Sequence, residues 1–81
     1  NPANSFVSIQ WDSDFILSTD VEIYTISGVR VFSKNLVSQR GENQIHWYLK
    51  SKDQKKVSSG VYLIKVETSN EVSIKKVTYL K

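Results

Sequence analysis

Hydrophobic and polar residues alternate with a period of two along most of this chain. Val7, Ile9 and Trp11 alternate with Ser8 and Gln10, which places three large apolar side chains on one face of a first β-strand. No stretch of the sequence shows the 3.6-residue period of an amphipathic helix. The pattern therefore predicts a protein built from short strands.

A β-hairpin is predicted over residues 21–33. Residues 21–26 are rich in β-branched and aromatic side chains, which favour strands. The pair Ser27-Gly28 interrupts this run, and Val29 and Val31 resume the alternation. Gly28 is expected to supply the positive φ that a tight turn requires.

The middle of the chain is more polar and predicts fewer regular elements. Residues 33–43 are interpreted as a connection, with a short edge segment at Leu36-Val37. Residues 44–48 resume the alternation as a strand, and residues 50–56 form a charged loop.

Two further strands are predicted at the end of the chain, over residues 61–68 and 72–80. In the first strand, Tyr62, Ile64 and Val66 form the more apolar face, which we expect to face the core. In the second, the apolar residues occupy even positions first and odd positions later, so a β-bulge of one extra residue is predicted between them. These residues are Val72, Ile74, Val77 and Tyr79.

Together these elements predict an all-β fold, an immunoglobulin-like β-sandwich of six or seven antiparallel strands. The length of 81 residues predicts one domain over residues 1–81, too small to enclose a deep active-site cavity. Hydrophobic residues make up 40% of the chain and charged residues 23%, which excludes the disordered class. The longest apolar runs are far shorter than the roughly 20 residues that span a bilayer, so no membrane-spanning segment is predicted.

The net charge of +3 is unevenly distributed along the sequence. Residues 1–49 contain three basic and five acidic side chains, whereas residues 50–81 contain eight lysines and three acidic residues, giving −2 and +5. A basic half can attract nucleic acid, but readers of nucleic acid also rely on arginine, and only Arg30 and Arg40 are present. We therefore favour a solvated lysine face and predict no nucleic-acid partner.

The sequence predicts no catalytic residue, no metal site and no cofactor. His46 is the single histidine and has no partner in a recognisable catalytic motif. Asp12-Ser13-Asp14 resembles a fragment of a calcium loop, but the later glycine and glutamate of that loop are missing, so a turn at a strand end is expected. The chain has no cysteine and hence no disulfide or thiolate ligand.

The aromatic side chains raise a second possibility, a platform for stacking sugar rings. Trp11 lies in register with Val7 and Ile9, and Trp47 lies in register with Ile45. Both tryptophans are therefore expected to be core anchors between two sheets. Tyr48 is the better candidate for a surface aromatic in a carbohydrate-binding role.

Several short motifs follow one another along the whole chain. They are Asn1-Pro2-Ala3-Asn4 with Val7-Ser8-Ile9, the segments 21–24 and 27–31, residues 41–47, residues 57–63 and Lys75-Lys76-Val77 with Lys81. In this order and spacing they resemble the C-terminal sorting domain (type A) of proteins exported by the bacterial type IX secretion system, and the immunoglobulin-like domain of the flagellar hook-capping protein is similar. Two departures concern one loop: relatives commonly carry Asp-Gly after the tryptophan, where this chain has Tyr48-Leu49, and residues 50–56 lack the usual glycine.

The resemblance implies a folded, non-catalytic address label at the end of a larger cargo protein. Its partners would be components of an outer-membrane translocon and the N-terminal cargo domains of the same chain. Its destination would be the cell surface or the medium, after transit through the periplasm. The opening Asn1-Pro2 is accordingly interpreted as the start of a piece of a longer protein. The residues that the resemblance suggests for recognition are Gly60, Val61, Tyr62, Lys75, Lys76 and Lys81.

Each of these residues also has a plain structural interpretation. Gly60 ends a loop, Tyr62 fills the core, and lysines on an edge strand oppose aggregation. Two other roles stay open at this point: an accessory module of an extracellular enzyme that binds carbohydrate, and a structural spacer like the hook-cap relative.

Overall fold

The computed structural model describes residues 5–80, which form six β-strands and no helix. The prediction of an all-β fold with antiparallel strands is confirmed. None of the described residues lies in a helix long and apolar enough to cross a membrane. The strands are β1 (Val7–Ser13), β2 (Leu17–Thr25), β3 (Arg30–Ser38), β4 (Gly41–Trp47), β5 (Gly60–Glu67) and β6 (Val72–Tyr79).

The six strands form two sheets that pack as a sandwich. One sheet has four strands in the order β3-β2-β5-β6, and the other pairs β1 with β4. The predicted inward faces of β1 and β5 are confirmed, since Ile9 and Tyr62 are buried and Val7 packs against the core. The buried apolar core consists of Ile9, Val21, Ile23, Val31, Trp47, Leu49, Val57, Tyr62, Ile64 and Val66.

The hairpin between β2 and β3 forms as the sequence predicts. Gly28 lies in the turn with a φ of 96°, a conformation that an L side chain rarely adopts. The register shifts inside this hairpin, because Ile23 pairs with Phe32 while Tyr24 pairs with Arg30. One residue, Val31, is therefore extra in β3, and its side chain is buried. The hairpin thus contains a β-bulge that the sequence did not indicate here.

The bulge predicted in the last strand is wrong. β6 pairs with β5 in one continuous register, from Gly60 opposite Tyr79 to Glu67 opposite Val72. The change of parity has another cause: Val72 and Ile74 lie on the outer face of the sheet and are exposed, whereas Val77 packs against the core. An edge strand does not need all of its apolar residues on one side.

The interpretation of residues 33–43 as a connection is wrong, although the short edge segment expected at Leu36-Val37 does lie in an edge strand, β3. β3 continues to Ser38 and β4 begins at Gly41, so only two residues join the sheets. The side chain of Asn43 spans this corner, accepting from Gln39 N at 2.8 Å and donating to Gln39 O at 2.9 Å. The full length of β3 was not predicted because β3 is an edge strand. A solvated edge tolerates polar residues, and a polar stretch of sequence otherwise indicates a loop.

The turn expected near Asp12-Ser13-Asp14 is present, because β1 ends at Ser13 and its hydroxyl donates to Phe15 O at 2.6 Å. In the loop after β4, Leu49 has a φ of 62°. This is the left-handed region that glycine enters freely, and the family resemblance places glycine near this point. Burial of the Leu49 side chain in the core offsets the conformational cost.

Candidate functional site

The recognition residues predicted from the sequence lie on β5 and β6, the last two strands of the four-stranded sheet. Successive residues of a strand point to opposite faces, so these residues divide between the two faces of the sheet. Val61 lies on the outer face, away from the sandwich, while Tyr62 lies on the inner face. The structure therefore does not bring all of them to one surface.

Tyr62 is a core residue. Its side chain is 4% exposed, and its ring packs edge-on against Trp47 with a centroid distance of 5.4 Å. Its hydroxyl donates to Ser58 O at 2.6 Å, and burial raises the pKa of the phenol. A partner protein cannot reach this ring without opening the sandwich, so Tyr62 supports the neighbouring strands from beneath.

Lys75 and Lys76 point in opposite directions. Lys76 is paired with Leu63 and shares the outer face with it, whereas Lys75 is paired with Ile64 on the inner side of β6. Both lysines are exposed, because β6 is the edge of its sheet. One flat partner surface can therefore contact Lys76 or Lys75 but not both.

The outer face of β5 and β6 is unusually apolar for a solvated sheet. Ile74 is 61% exposed and Val72 is 53% exposed. The residues on the solvent side of an antiparallel sheet are normally polar. On β5, register places Glu67 opposite Val72 and Lys65 opposite Ile74. The partly buried Leu63 is diagonal to Ile74 and lies opposite Lys76. We call this surface the outer patch; it consists of Val61, Leu63, Val72, Ile74 and Lys76.

A charged network runs across the same face beside the outer patch. Glu22 accepts from Arg30 Nη1 at 3.0 Å and from the Tyr24 hydroxyl at 3.0 Å, and it lies 3.6 Å from Lys65 Nζ. The Tyr24 hydrogen bond, with Arg30 and Lys65, holds the pKa of Glu22 below its usual range. Lys65 also lies 3.4 Å from Glu67, whose hydrogen bond raises the pKa of the lysine. The network fixes the orientation of the side chains around the patch.

Gly60 and the ends of the chain complete the predicted residues. Gly60 begins β5 without a left-handed φ, and a Cβ atom added there would meet open space. The backbone conformation at position 60 therefore does not require glycine. Residues 1–4, with the Asn-Pro motif, and Lys81 lie outside the described residues.

The predicted surface aromatic, Tyr48, is 56% exposed at the far end of the other sheet. His46 is exposed on β4, as expected, and its ring stacks on Phe6 with a centroid distance of 4.2 Å. Tyr48 lies 6.1 Å from His46 and 5.7 Å from Phe6, measured between ring centroids. The sequence did not indicate Phe6, because it precedes the first alternating run. The carbohydrate-binding role of Tyr48 stays a prediction.

Comparison with known proteins adds one finding to this geometry. The family model described as a secretion system C-terminal sorting domain matches residues 1–79. Neither the curated proteins nor the solved structures contain a significant match to the chain. The family match spans all six strands, including β5 and β6 with the outer patch. The chain therefore belongs to the secretion system C-terminal sorting domain family, whose members are signals for type IX secretion that direct proteins to the cell surface or the medium.

Proposed function

We propose that this module acts without chemistry of its own, as the folded address of a larger cargo chain, and that an outer-membrane component of the type IX machinery binds its outer patch. Membership of the family supports interaction with that machinery and attachment to a cargo chain. The binding surface is the part that the proposal adds. The proposal includes no nucleic-acid partner, because readers of nucleic acid rely on arginine and the chain has only Arg30 and Arg40.

Two exposed apolar residues on one face of an edge strand favour the outer patch as the binding surface. Val72 and Ile74 are large, apolar and more than half exposed on a strand that packs Val77 against the core on its other side. Both residue types favour strands, but a charged residue would protect an edge strand better against pairing with other chains. Exposed apolar groups rimmed by charged residues are typical of protein-protein contacts.

The proposal assigns different tasks to the predicted residues. Val61 and Lys76 belong to the outer patch and contact the partner directly. Tyr62 holds β5 in place from the core, and Lys75 lies on the other side of β6 and contributes only general positive charge. Lys81 lies two residues after the end of β6 in sequence, and we propose that it contributes positive charge to recognition.

Secretion of patch variants tests this proposal. We expect Ile74→Thr with Lys76→Glu, in the chain fused behind a folded reporter, to lower the exported fraction about tenfold in a host with a type IX system, because one or two hot-spot residues contribute on the order of 1–2 kcal/mol each. The control is Val37→Thr with Lys34→Glu on the opposite edge strand, which removes a similarly exposed valine and makes the same change of charge, with Lys34 on the other face of β3 from Val37. The control should be exported like the unchanged fusion.

Two results would contradict the proposed surface. One is equal export of the patch variant and the edge control, with both fusions folded by circular dichroism. The other is a matching loss for the control, which would show that any charge reversal on an edge strand impairs export. The exported fraction of Gly60→Ala provides an independent comparison with the patch variant, because the backbone accommodates alanine at this position.

A further inference from the structure

A groove runs between the two sheets on the side opposite to the outer patch. It is bordered by β1, the end of the two-stranded sheet, and by β6, the end of the four-stranded sheet. Each of these strands pairs on one side only, so each presents a row of unpaired backbone N–H and C=O groups. The groove has a volume of about 600 Å³ and is open to solvent, with Trp11 and Ser73 on facing walls.

The groove itself is lined mostly by polar residues, and its apolar part, here called the floor, is an adjoining cavity. This second, smaller cavity of about 180 Å³ lies between the same two strands, and Ile64, Val66 and Val77 line it from one sheet and Ile9 from the other. The sandwich is uneven here, because four strands face only two. Sandwiches of immunoglobulin size commonly place seven strands in two sheets, and the free edges of β6 and β1 leave space between them for such an additional strand.

The rim of the groove is acidic, in contrast to the chain as a whole. Asp12, Glu42 and Glu71 line the groove with one lysine, Lys75, which gives it a charge of −2 on a chain of +3. Asp12 and Glu42 are direct cross-strand partners, and like charges in that position destabilise a sheet. Within residues 5–80, the ion pairs involve Glu22 and Glu67 and leave these three carboxylates without a cationic partner.

We propose that this groove binds an extended peptide segment of a partner protein in which basic and apolar residues alternate. The segment adds a strand to the free edge of β6, with its backbone groups pairing as in β-strand addition. Because side chains alternate along a strand, its apolar residues enter the floor beside Ile64 and Val77. Its basic residues then face outward and neutralise Asp12, Glu42 and Glu71.

Lys75 argues against a second copy of this chain as the occupant. An inward-pointing lysine on an edge strand is a recognised device against pairing between identical edges, and a symmetric dimer through β6 would bring two such lysines together. A heterologous basic segment has three carboxylates to compensate for one lysine. The groove differs from the outer patch in its lining, which includes Lys75 but not Lys76, while Lys76 also lines the adjoining cavity.

Titration of the purified 81-residue chain with a synthetic peptide tests the proposal. The probe is a fluorescein-labelled nonapeptide of alternating lysine and valine, followed by fluorescence anisotropy at low salt. We expect saturable binding that weakens about fivefold in Glu42→Gln with Glu71→Gln, as for the loss of two exposed charge pairs. The matched control is Asp20→Asn with Asp53→Asn, which also removes two carboxylates, both outside the groove.

Two further peptides separate strand addition from simple charge attraction. A peptide methylated at alternate backbone nitrogens keeps its charge but cannot pair along an edge, so it should lose the binding. A peptide with glutamate in place of lysine should not bind. Equal affinity for the methylated peptide, or an equal effect of the groove and control variants, would overturn the proposal. A stable dimer of the chain that the peptide does not dissociate would overturn it as well.

Discussion

Replacing Trp47 with alanine is expected to unfold the domain or to leave it barely stable. Trp47 is 1% exposed and packs against Tyr62 and Phe32, while its indole N–H donates to Lys50 O at 3.0 Å. Removing a buried tryptophan costs about 3–5 kcal/mol. A chain of this length has a total free energy of unfolding of roughly 4–12 kcal/mol. The substitution therefore removes much or all of that stability.

Chemical denaturation followed by circular dichroism measures this effect. Tyr48→Ala is the matched control, because it removes the adjacent aromatic side chain from an exposed position. We expect Tyr48→Ala to change the free energy of unfolding by less than about 0.5 kcal/mol, as for most surface substitutions. If the two variants had similar unfolding midpoints, Trp47 would not be the centre of the core described above.

The second large effect is expected at a chain of buried hydroxyl groups between the sheets. The indole N–H of Trp11 donates to Ser38 Oγ at 2.8 Å, the Ser38 and Thr19 hydroxyls lie 2.6 Å apart, and the Thr19 hydroxyl donates to Leu17 O at 3.1 Å. Since Thr19 donates to Leu17, Ser38 must donate to Thr19. Ser38 is fully buried. Because it belongs to β3 and its hydroxyl bonds to Trp11 and Thr19, it joins β3 to β1 and β2.

Ser38→Ala should lower the free energy of unfolding by about 2 kcal/mol, because it leaves the Trp11 N–H without its acceptor in a partly buried site. Ser33→Ala, an exposed serine on the same strand, serves as the control and should be nearly neutral. In a Trp11→Phe background the indole donor is absent, so Ser38→Ala should cost clearly less. Equal costs in both backgrounds would contradict the coupling between these side chains.

The core was predictable from the sequence because burial there follows simple alternation. Ile9, Tyr62, Ile64 and Val66 occupy the inward positions that the period of two indicates. Trp47 is a core anchor as expected, and Trp11, which is partly buried, packs against the core and donates a hydrogen bond to Ser38. That hydroxyl chain depends on which strands come together, and the period of two does not specify this.

Errors and omissions concentrate at the sheet edges. Ser33, Lys34 and Asn35 were interpreted as part of a connection because edge strands accept polar residues without a penalty. Val72 and Ile74 were assigned to the core, which required a bulge, whereas they lie on the outer face. The outer patch and the groove beside β6 both depend on the pairing of strands distant in sequence. Alternation along a single strand contains no information about that pairing.

The central claim is that this module directs type IX export, and a secretion assay tests it most directly. A fluorescent reporter fused ahead of residues 1–81 is expressed in a host with a functional type IX system and in the same host with that system disabled. We predict that the reporter reaches the cell surface or the medium only in the first strain. Retention in both strains with the fusion folded, or equal export from both, would contradict the claim.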